Sequence, residues 1–365
     1  MNMNKQYSLK IEDIISLLNA QWDSLVIELV PNVKQYQGYF TVGDLDGNSG
    51  SSLVLYRGAK AGSWRDYSTE DSGDALILIE KQVTGGDRGK AIGWAKQWLG
   101  IDDENEITFE ARKKAARKQK QKNDHLIKQQ LEQRLKQAKA IFLSASDKMH
   151  GTMGEEYFIS RGIDLGDLLG KIRAVRFERE CYEAETRSHH PALVSSISVP
   201  NGDKLEMSIH RTYLQYEINA DGECLSVIKL AVKNPKKVLG DYRGGYIPLW
   251  RGKSNKIIFK ADPSEWVVIT EGIEDGLSVV ISDPDFRVLC AVSLANMAAI
   301  ILPCNVKNVI LVKDNDWNNI KAEQAFERAI DWHHQNGRRV KILKTPASVG
   351  HDLNEWLCGN FQKND

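Results

Sequence analysis

The sequence predicts an α/β protein: a C-terminal parallel sheet with helices on both faces, preceded by a basic strand-rich subdomain, a long basic helix and a small N-terminal α+β domain. Three observations predict it. Beyond Lys260, short apolar runs alternate with stretches of helical period, the pattern of strands buried on both faces and joined by crossover helices. Between 111 and 139, eleven Lys or Arg stand against Asp124 and Glu132 with no Gly or Pro, which reads as one exposed helix linking two folded parts. Before it, short β-branched and aromatic runs separated by turn residues point to a small domain of strands and helices.

Taken in order, residues 1–104 open with an amphipathic helix over 11 to 18, followed by strands near 39 to 42 and 52 to 56 with Asp46-Gly47-Asn48 between them. A helix over 91 to 99 closes the piece at Gly100. Residues 105–150 are the basic helical linker. Residues 151–261 form the strand-rich subdomain, with Pro200-Asn201-Gly202-Asp203 as a hairpin turn. In 262–365 the strands fall at 266 to 270, 287 to 291, 309 to 312 and 340 to 343, with helices at 273 to 281, 295 to 301 and 320 to 334.

The 365 residues allow two or three domains, and 49 basic against 49 acidic residues name no partner by bulk charge. Five scattered cysteines without a C-x-x-C pair argue for a reducing cytoplasm and against a cysteine-held zinc. No apolar run approaches the ~20 residues that span a bilayer, and the first residues lack the apolar core of a signal peptide. A cytoplasmic location without membrane contact is expected. No Walker A sequence is present, so an ATP-driven helicase activity is not expected of this chain.

Ligands of parallel sheets bind at the carboxyl ends of the strands. The first predicted strand ends in Glu271-Gly272 and the third in Asp314-Asn315-Asp316; Gly350-His351-Asp352-Leu353-Asn354-Glu355 follows the last. Side chains two apart in extended chain share a face, so Asp314 and Asp316 can hold one cation. Oxygen ligands around an open position suit Mg²⁺ or Mn²⁺, not zinc. One Asp-x-Asp is weak on its own, since such pairs abound in turns; the order and spacing of all the acids give it weight.

That order, strand-Glu-Gly-helix, strand, strand-Asp-x-Asp-helix and strand-x-x-Asp, resembles the TOPRIM domain of topoisomerases, bacterial primases and related nucleases. The resemblance implies proton transfer or metal support for Glu271, Mg²⁺ binding for Asp314 and Asp316, and a further metal-binding role for Asp352, with Asn354 where primases carry a second acid. Two residues depart from the family: Ala295 replaces a glycine after the second strand, and Trp317 follows Asp316 in place of a glycine-containing turn. Glu274 and Asp275 are read either as supporting acids or as charges favoured near a helix N-terminus.

A dense run of bases precedes the sheet: Arg211, Lys229, Lys233, Lys236, Lys237 and Arg243. On composition alone a solvated edge is the commoner explanation. Directly before a TOPRIM domain, the run resembles the basic subdomain of the bacterial primase core, which implies contacts to nucleoside triphosphates or template. Lys229 matches the family lysine, and the others are weaker candidates. The N-terminal piece resembles the primase zinc-binding domain in Ser51-Ser52-Leu53, Trp64-Arg65-Asp66-Tyr67 and Gly73-Asp74-Ala75-Leu76. It has no Cys or His where that family holds metal, so no zinc is expected and Trp64, Trp94 and Trp98 are the expected core. Arg57, Lys60 and Arg65 are candidates for phosphate contact there.

The outline is similar to primase-like TOPRIM proteins of phages and mobile elements. It implies RNA primer synthesis on a single-stranded DNA template, with Mg²⁺ or Mn²⁺ and a separate replicative helicase as partner. Two other readings stay open: a metal-dependent nuclease on the same acids, and a non-catalytic nucleic-acid-binding accessory. The histidine pairs 189–190 and 333–334, and His351, are read as structural.

Overall fold

The structure is a computed structural model that describes residues 10–36, 38–101, 106–202, 204–315, 319–346 and 352–361. It divides into two compact units, Met1–Gln130 and Leu131–Asp365. Among the described residues no helix is long and apolar enough to cross a membrane.

The first unit begins with α1 (Ile11–Ala20) and α2 (Trp22–Leu29), then five antiparallel strands in chain order: β1 (Lys34–Gln35), β2 (Tyr39–Val42), β3 (Leu53–Tyr56), β4 (Ser63–Asp66) and β5 (Ser72–Asp74). Next come α3 (Ala75–Val83) and α4 (Arg88–Trp98), started by Asp74 and Asp87, whose carboxylates accept the Ile77 and Lys90 backbone N–H. Alternation along the strands sends Phe40, Leu53, Leu55 and Trp64 into a core with Leu18, Trp22 and Leu76. Trp94 and Trp98 are only partly buried and stack at its rim, 6.2 Å between centroids. The same alternation puts Tyr39, Tyr56 and Arg65 on the opposite face. There Tyr36 stacks on Tyr39 at 5.0 Å, the Tyr56 and Tyr67 hydroxyls are 2.8 Å apart, and Lys60 and Arg65 lie over the Tyr56 and Tyr67 rings. The predicted basic helix is α5 (Glu106–Ser144); its Ala116 joins the first unit's core.

In the second unit, Ala138 and Phe142 near the end of α5 pack on an antiparallel sheet. The chain continues through α6 (Met153–Ser160) to β6 (Val175–Glu183), β7 (Ser188–Asn201), β8 (Lys204–Ile218), β9 (Cys224–Lys229) and β10 (Lys236–Leu239). Strand order is β10-β8-β7-β6, with β9 pairing the other end of β8. A third sheet follows: β11 (Ile247–Arg251), β12 (Trp266–Thr270), α7 (Ile273–Ser282), β13 (Arg287–Cys290), α8 (Leu294–Met297), β14 (Asn308–Lys313), α9 (Ile320–Gln335), β15 (Arg339–Lys344) and α10 (Leu353–Phe361). Its order is β11-β13-β12-β14-β15.

The sheet is mixed, not wholly parallel. β12 to β15 pair in parallel, while β11 runs antiparallel to β13 at the edge. β11 arrives from the preceding strand-rich segment with no crossover helix to reverse it, and Pro248, which has no N–H to give, is tolerated on an edge strand. Val268, Val288 and Val312 face α7 and α10, whereas Ile269, Leu289 and Leu311 face α8 and α9. Helices therefore cover both faces. Gly276 lets α7 lie close on the sheet, because a Cβ there would collide with the Leu249 side chain.

Candidate active site

The chain runs from β12 to β13 on one side and then to β14 on the other, so the sheet's switch point lies between β12 and β14. A crevice opens at the carboxyl ends of strands at such a point. Glu271 follows β12 and Asp314 follows β14, and both line one small pocket with Lys313, Glu323 and Phe326. Lys313 pairs with Glu323, Nζ to Oε2 2.5 Å. The Cys290 thiol donates to the Glu271 carbonyl oxygen at 3.0 Å, and Val292 just beyond it sits at φ 72, a strained backbone for a β-branched residue. Besides Glu323, which pairs with Lys313, the pocket offers the carboxylates of Glu271 and Asp314, and with no sulfur or imidazole among its described lining residues this donor set fits a hard divalent cation. Asp316 and Trp317 lie outside the described residues, and among those described there is no group of three or more metal-ligating side chains.

In the first turn of α7, where an exposed acid would be ordinary, Glu274 is buried. Three donors converge on its Oε1: the Tyr157 hydroxyl at 2.7 Å, Lys229 Nζ at 2.9 Å and Lys236 Nζ at 3.6 Å. Burial alone would raise the carboxyl, but the two ammonium groups outweigh it and hold Glu274 far below the usual carboxylate range. His210, buried beside them, is pushed down to about 4 by burial and by Lys236, which favours a neutral ring, and its Nδ1 has no hydrogen-bond partner among the described residues.

Asp275 has the opposite fate. Burial, then the nearby Asp352 charge, push its carboxyl up to about 6, while its Oδ1 accepts the Asn354 backbone N–H at 3.1 Å. Asp352 starts α10, accepting the Glu355 N–H at 2.7 Å, and faces Arg161 at 3.8 Å. Asn354 is buried, and its Nδ2 donates to the Arg161 carbonyl oxygen and to Ser278 Oγ. A carboxylate could accept but not donate at that place, which accounts for an amide where primases were expected to carry an acid.

Residues 266–360 match the Toprim domain family. The chain ends in a Toprim domain. Residues 132–249 match a domain of unknown function (DUF7146). No curated protein matches the chain. Among solved structures, a DNA primase domain from Pseudomonas aeruginosa is similar at 12% identity and a TM-score of 0.37, over 63% of this chain and 77% of that one. Toprim domains bind divalent metals such as Mg²⁺, in keeping with the oxygen donors of Glu271 and Asp314.

The six basic candidates sort by strand register. Lys236 pairs with Thr212 across β10 and β8 and shares their Toprim-facing side with His210, and Lys229 reaches the same side from β9. Lys237 pairs with Arg211, one residue out of phase, so both point to the opposite face. There Lys237 is bound to the buried Glu183 and to Glu185, Arg211 lies over the Tyr213 ring, and both line a cavity of about 460 Å³ beneath α5. Arg211 and Lys237 thus leave the set of residues near the acids. Lys233 and Arg243 lie on exposed loops. Tyr157, Glu274 and His210 were not marked by sequence as one cluster; the available signal was an acid three residues after Glu271 on a helix whose every residue from Ile273 to Val280 is buried.

Proposed function

We propose that the protein is a primase-like nucleotidyltransferase that synthesises short RNA primers on single-stranded DNA, in the replication of a phage, plasmid or mobile element. The observation that carries the reading is the meeting of Lys229 and Lys236 with Glu274, one turn beyond Glu271 on the Toprim helix. A polymerase must grip a triphosphate as well as the chain end, and a pair of ammonium groups suits that second anion.

In this reading residues 262–365 carry the acids, 151–261 present the lysines, 105–150 link the parts and 1–104 hold template. Glu271, Asp314 and Asp316, with Asp352 as a further acid, would hold Mg²⁺ or Mn²⁺, which when bound neutralises charge on the phosphate oxygens during transfer. Glu271 also accepts or relays the proton of the attacking hydroxyl. Lys229 and Lys236 bind the nucleotide's outer phosphates by charge-assisted hydrogen bonds. Lys233, Arg243 and the α5 bases add phosphate contacts that position without reading sequence. The open sheet face of Tyr36, Tyr39, Tyr56 and Tyr67, with Lys60 and Arg65 above two of the rings, supports template binding, since single strands stack on aromatic platforms flanked by cations.

The test is primer synthesis on mixed single-stranded templates with labelled nucleoside triphosphates and Mg²⁺ or Mn²⁺, comparing the wild type with Asp314→Ala plus Asp316→Ala. Labelled oligonucleotides from the wild type alone are expected. Acid-dependent cutting of end-labelled DNA without synthesis would replace the reading with a nuclease, and retention of intact DNA without either activity would replace it with a binding accessory.

A further inference from the structure

We propose that Glu274 is a positioning residue of the Toprim site: its buried carboxylate holds the Lys229 and Lys236 ammonium groups together as one phosphate-binding pair. The inference rests on the nucleotide-binding reading above and assigns to this acid a task that the metal-binding acids do not perform.

The geometry requires an anion at this point. Lys229 and Lys236 come from two strands that pair successive stretches of β8, and both reach Oε1 of the same carboxylate, 2.9 and 3.6 Å away. Two ammonium groups drawn to one point and partly removed from water repel each other, and a counter-charge offsets that repulsion. Glu274 supplies it from a fixed place: its side chain is 10% exposed, the Tyr157 hydroxyl holds it at 2.7 Å, and the N-terminal turn of α7 favours negative charge. One carboxylate against two ammonium groups leaves a positive charge in excess, and both lysines remain about one-third exposed. A nucleotide's phosphates complete that balance.

The other groups around the pair do not replace Glu274. From α6 come Tyr157 and Arg161, from β8 the neutral His210, from α7 Asp275, from β13 Cys290, whose thiol burial pushes up to about 12, and before α10 Asp352. Asp275 is the nearest further acid on α7, and it accepts from the Asn354 backbone while Asp352 faces Arg161. Burial disfavours the Lys236 ammonium; Glu274 reverses that and keeps it charged. Without the Glu274 charge, burial acts against the Lys236 ammonium with its leading opposing charge gone.

The test uses the full chain and ATP in EDTA, so that no metal contributes, with affinity followed by calorimetry from pH 6.5 to 8.5. The wild type is expected to change less than about twofold, because the Glu274 carboxylate favours the charged form of Lys236. Glu274→Gln keeps the shape and a partner for Tyr157; it is expected to bind within about threefold of the wild type at pH 6.5 and to be about tenfold weaker at pH 8.5, as a lysine titrates. Glu274→Gln with Lys236→Met, which removes the repulsion, is expected to restore a pH-independent profile at lower affinity. A loss of the same size at every pH, or none, would overturn the proposal.

Nitrogen-15 NMR of the lysine side chains reads the claim without ligand. In the wild type the Lys236 ammonium is expected to titrate above the ordinary lysine value, and in Glu274→Gln it is expected to fall below it. If the wild type does not bind ATP while the lysine shift is present, the nucleotide reading fails and the positioning role stands. If the lysines titrate alike in both proteins, the positioning role fails whatever binds.

Discussion

Lys236 and Lys237 are consecutive residues of β10, and they serve opposite faces of the same sheet. Lys236 points with His210 and Thr212 toward α7 and shares the Glu274 carboxylate with Lys229, leaving positive charge in excess beside α7. Lys237 points with Arg211 beneath α5, where Glu183 and Glu185 neutralise it. The first face leaves ammonium charge in excess; the second neutralises it internally. A count of bases in the segment from Arg211 to Arg243 therefore overstates the site, and what selects among them is the two-residue period of the strand.

The largest effect that tests this contrast comes from neutralising each face without stranding a buried charge. Lys229→Met and Lys236→Met with Glu274→Gln is expected to lower primer synthesis by about 100-fold or more, since two hydrogen bonds between charged groups and phosphate are lost. Lys237→Met with Glu183→Gln on the other face is expected to leave synthesis within about twofold. Equal losses from both would erase the distinction between the faces; circular dichroism of each variant shows that the fold is kept. Next in size, Tyr56→Ala and Tyr67→Ala are each expected to weaken single-stranded DNA binding by about tenfold in a gel-shift titration, raising the KM for template while leaving that for nucleoside triphosphate unchanged.

The Toprim sheet was legible because β12, β13 and β14 are covered on both faces and so appear as unbroken apolar runs ending at Glu271, Ala291 and Asp314. β11 was not, since Ile247–Arg251 is a five-residue run holding a proline, and its direction depends on a partner distant in sequence. The lysine candidates were legible as a group but not as two faces: which of Lys236 and Lys237 points inward is set by where β10 begins after Asn234-Pro235, a single residue of register. Glu274 was read as either a supporting acid or an ordinary helix-start charge because burial of a first-turn acid comes from tertiary packing of α7. Asn354 was matched to an acid because the Ser278 and Arg161 acceptors that need its N–H groups lie 76 and 193 residues away in sequence.

A smaller effect tests the neutralised face through stability. Burial would raise the Glu183 carboxyl, but the Lys237 ammonium and the Thr186 and Glu185 backbone N–H groups outweigh it and hold the carboxyl at about 2. The folded value lies below the ordinary 4.5, so this contribution is full above about 4.5 and is lost as pH falls from there toward 2. Lys237→Met removes the leading favourable partner. Thermal unfolding is expected to show a loss of about 1 kcal/mol at pH 7 and a shallower fall in Tm between pH 4.5 and 2 than in the wild type. An unchanged Tm profile would mean that the backbone N–H groups alone hold the carboxylate.

The smallest effects belong to the two bases on neither face. Lys233 and Arg243 are exposed on loops, where water and salt screen a charge and a single phosphate contact adds little. Lys233→Ala and Arg243→Ala are each expected to weaken single-stranded DNA binding by about twofold at physiological salt, with no preference for sequence. Each is expected to reduce the slope of log affinity against log salt by about 0.7, the value for one released counterion on a single strand. Lys236→Met with Glu274→Gln alters a partly buried group bound to an internal carboxylate, and its effect on nucleotide affinity is expected to depend less on salt. If Arg243→Ala instead matched the effect of losing the Lys229 and Lys236 pair, the loop after β10 would belong to the phosphate site, and sorting by strand face would be too narrow a rule.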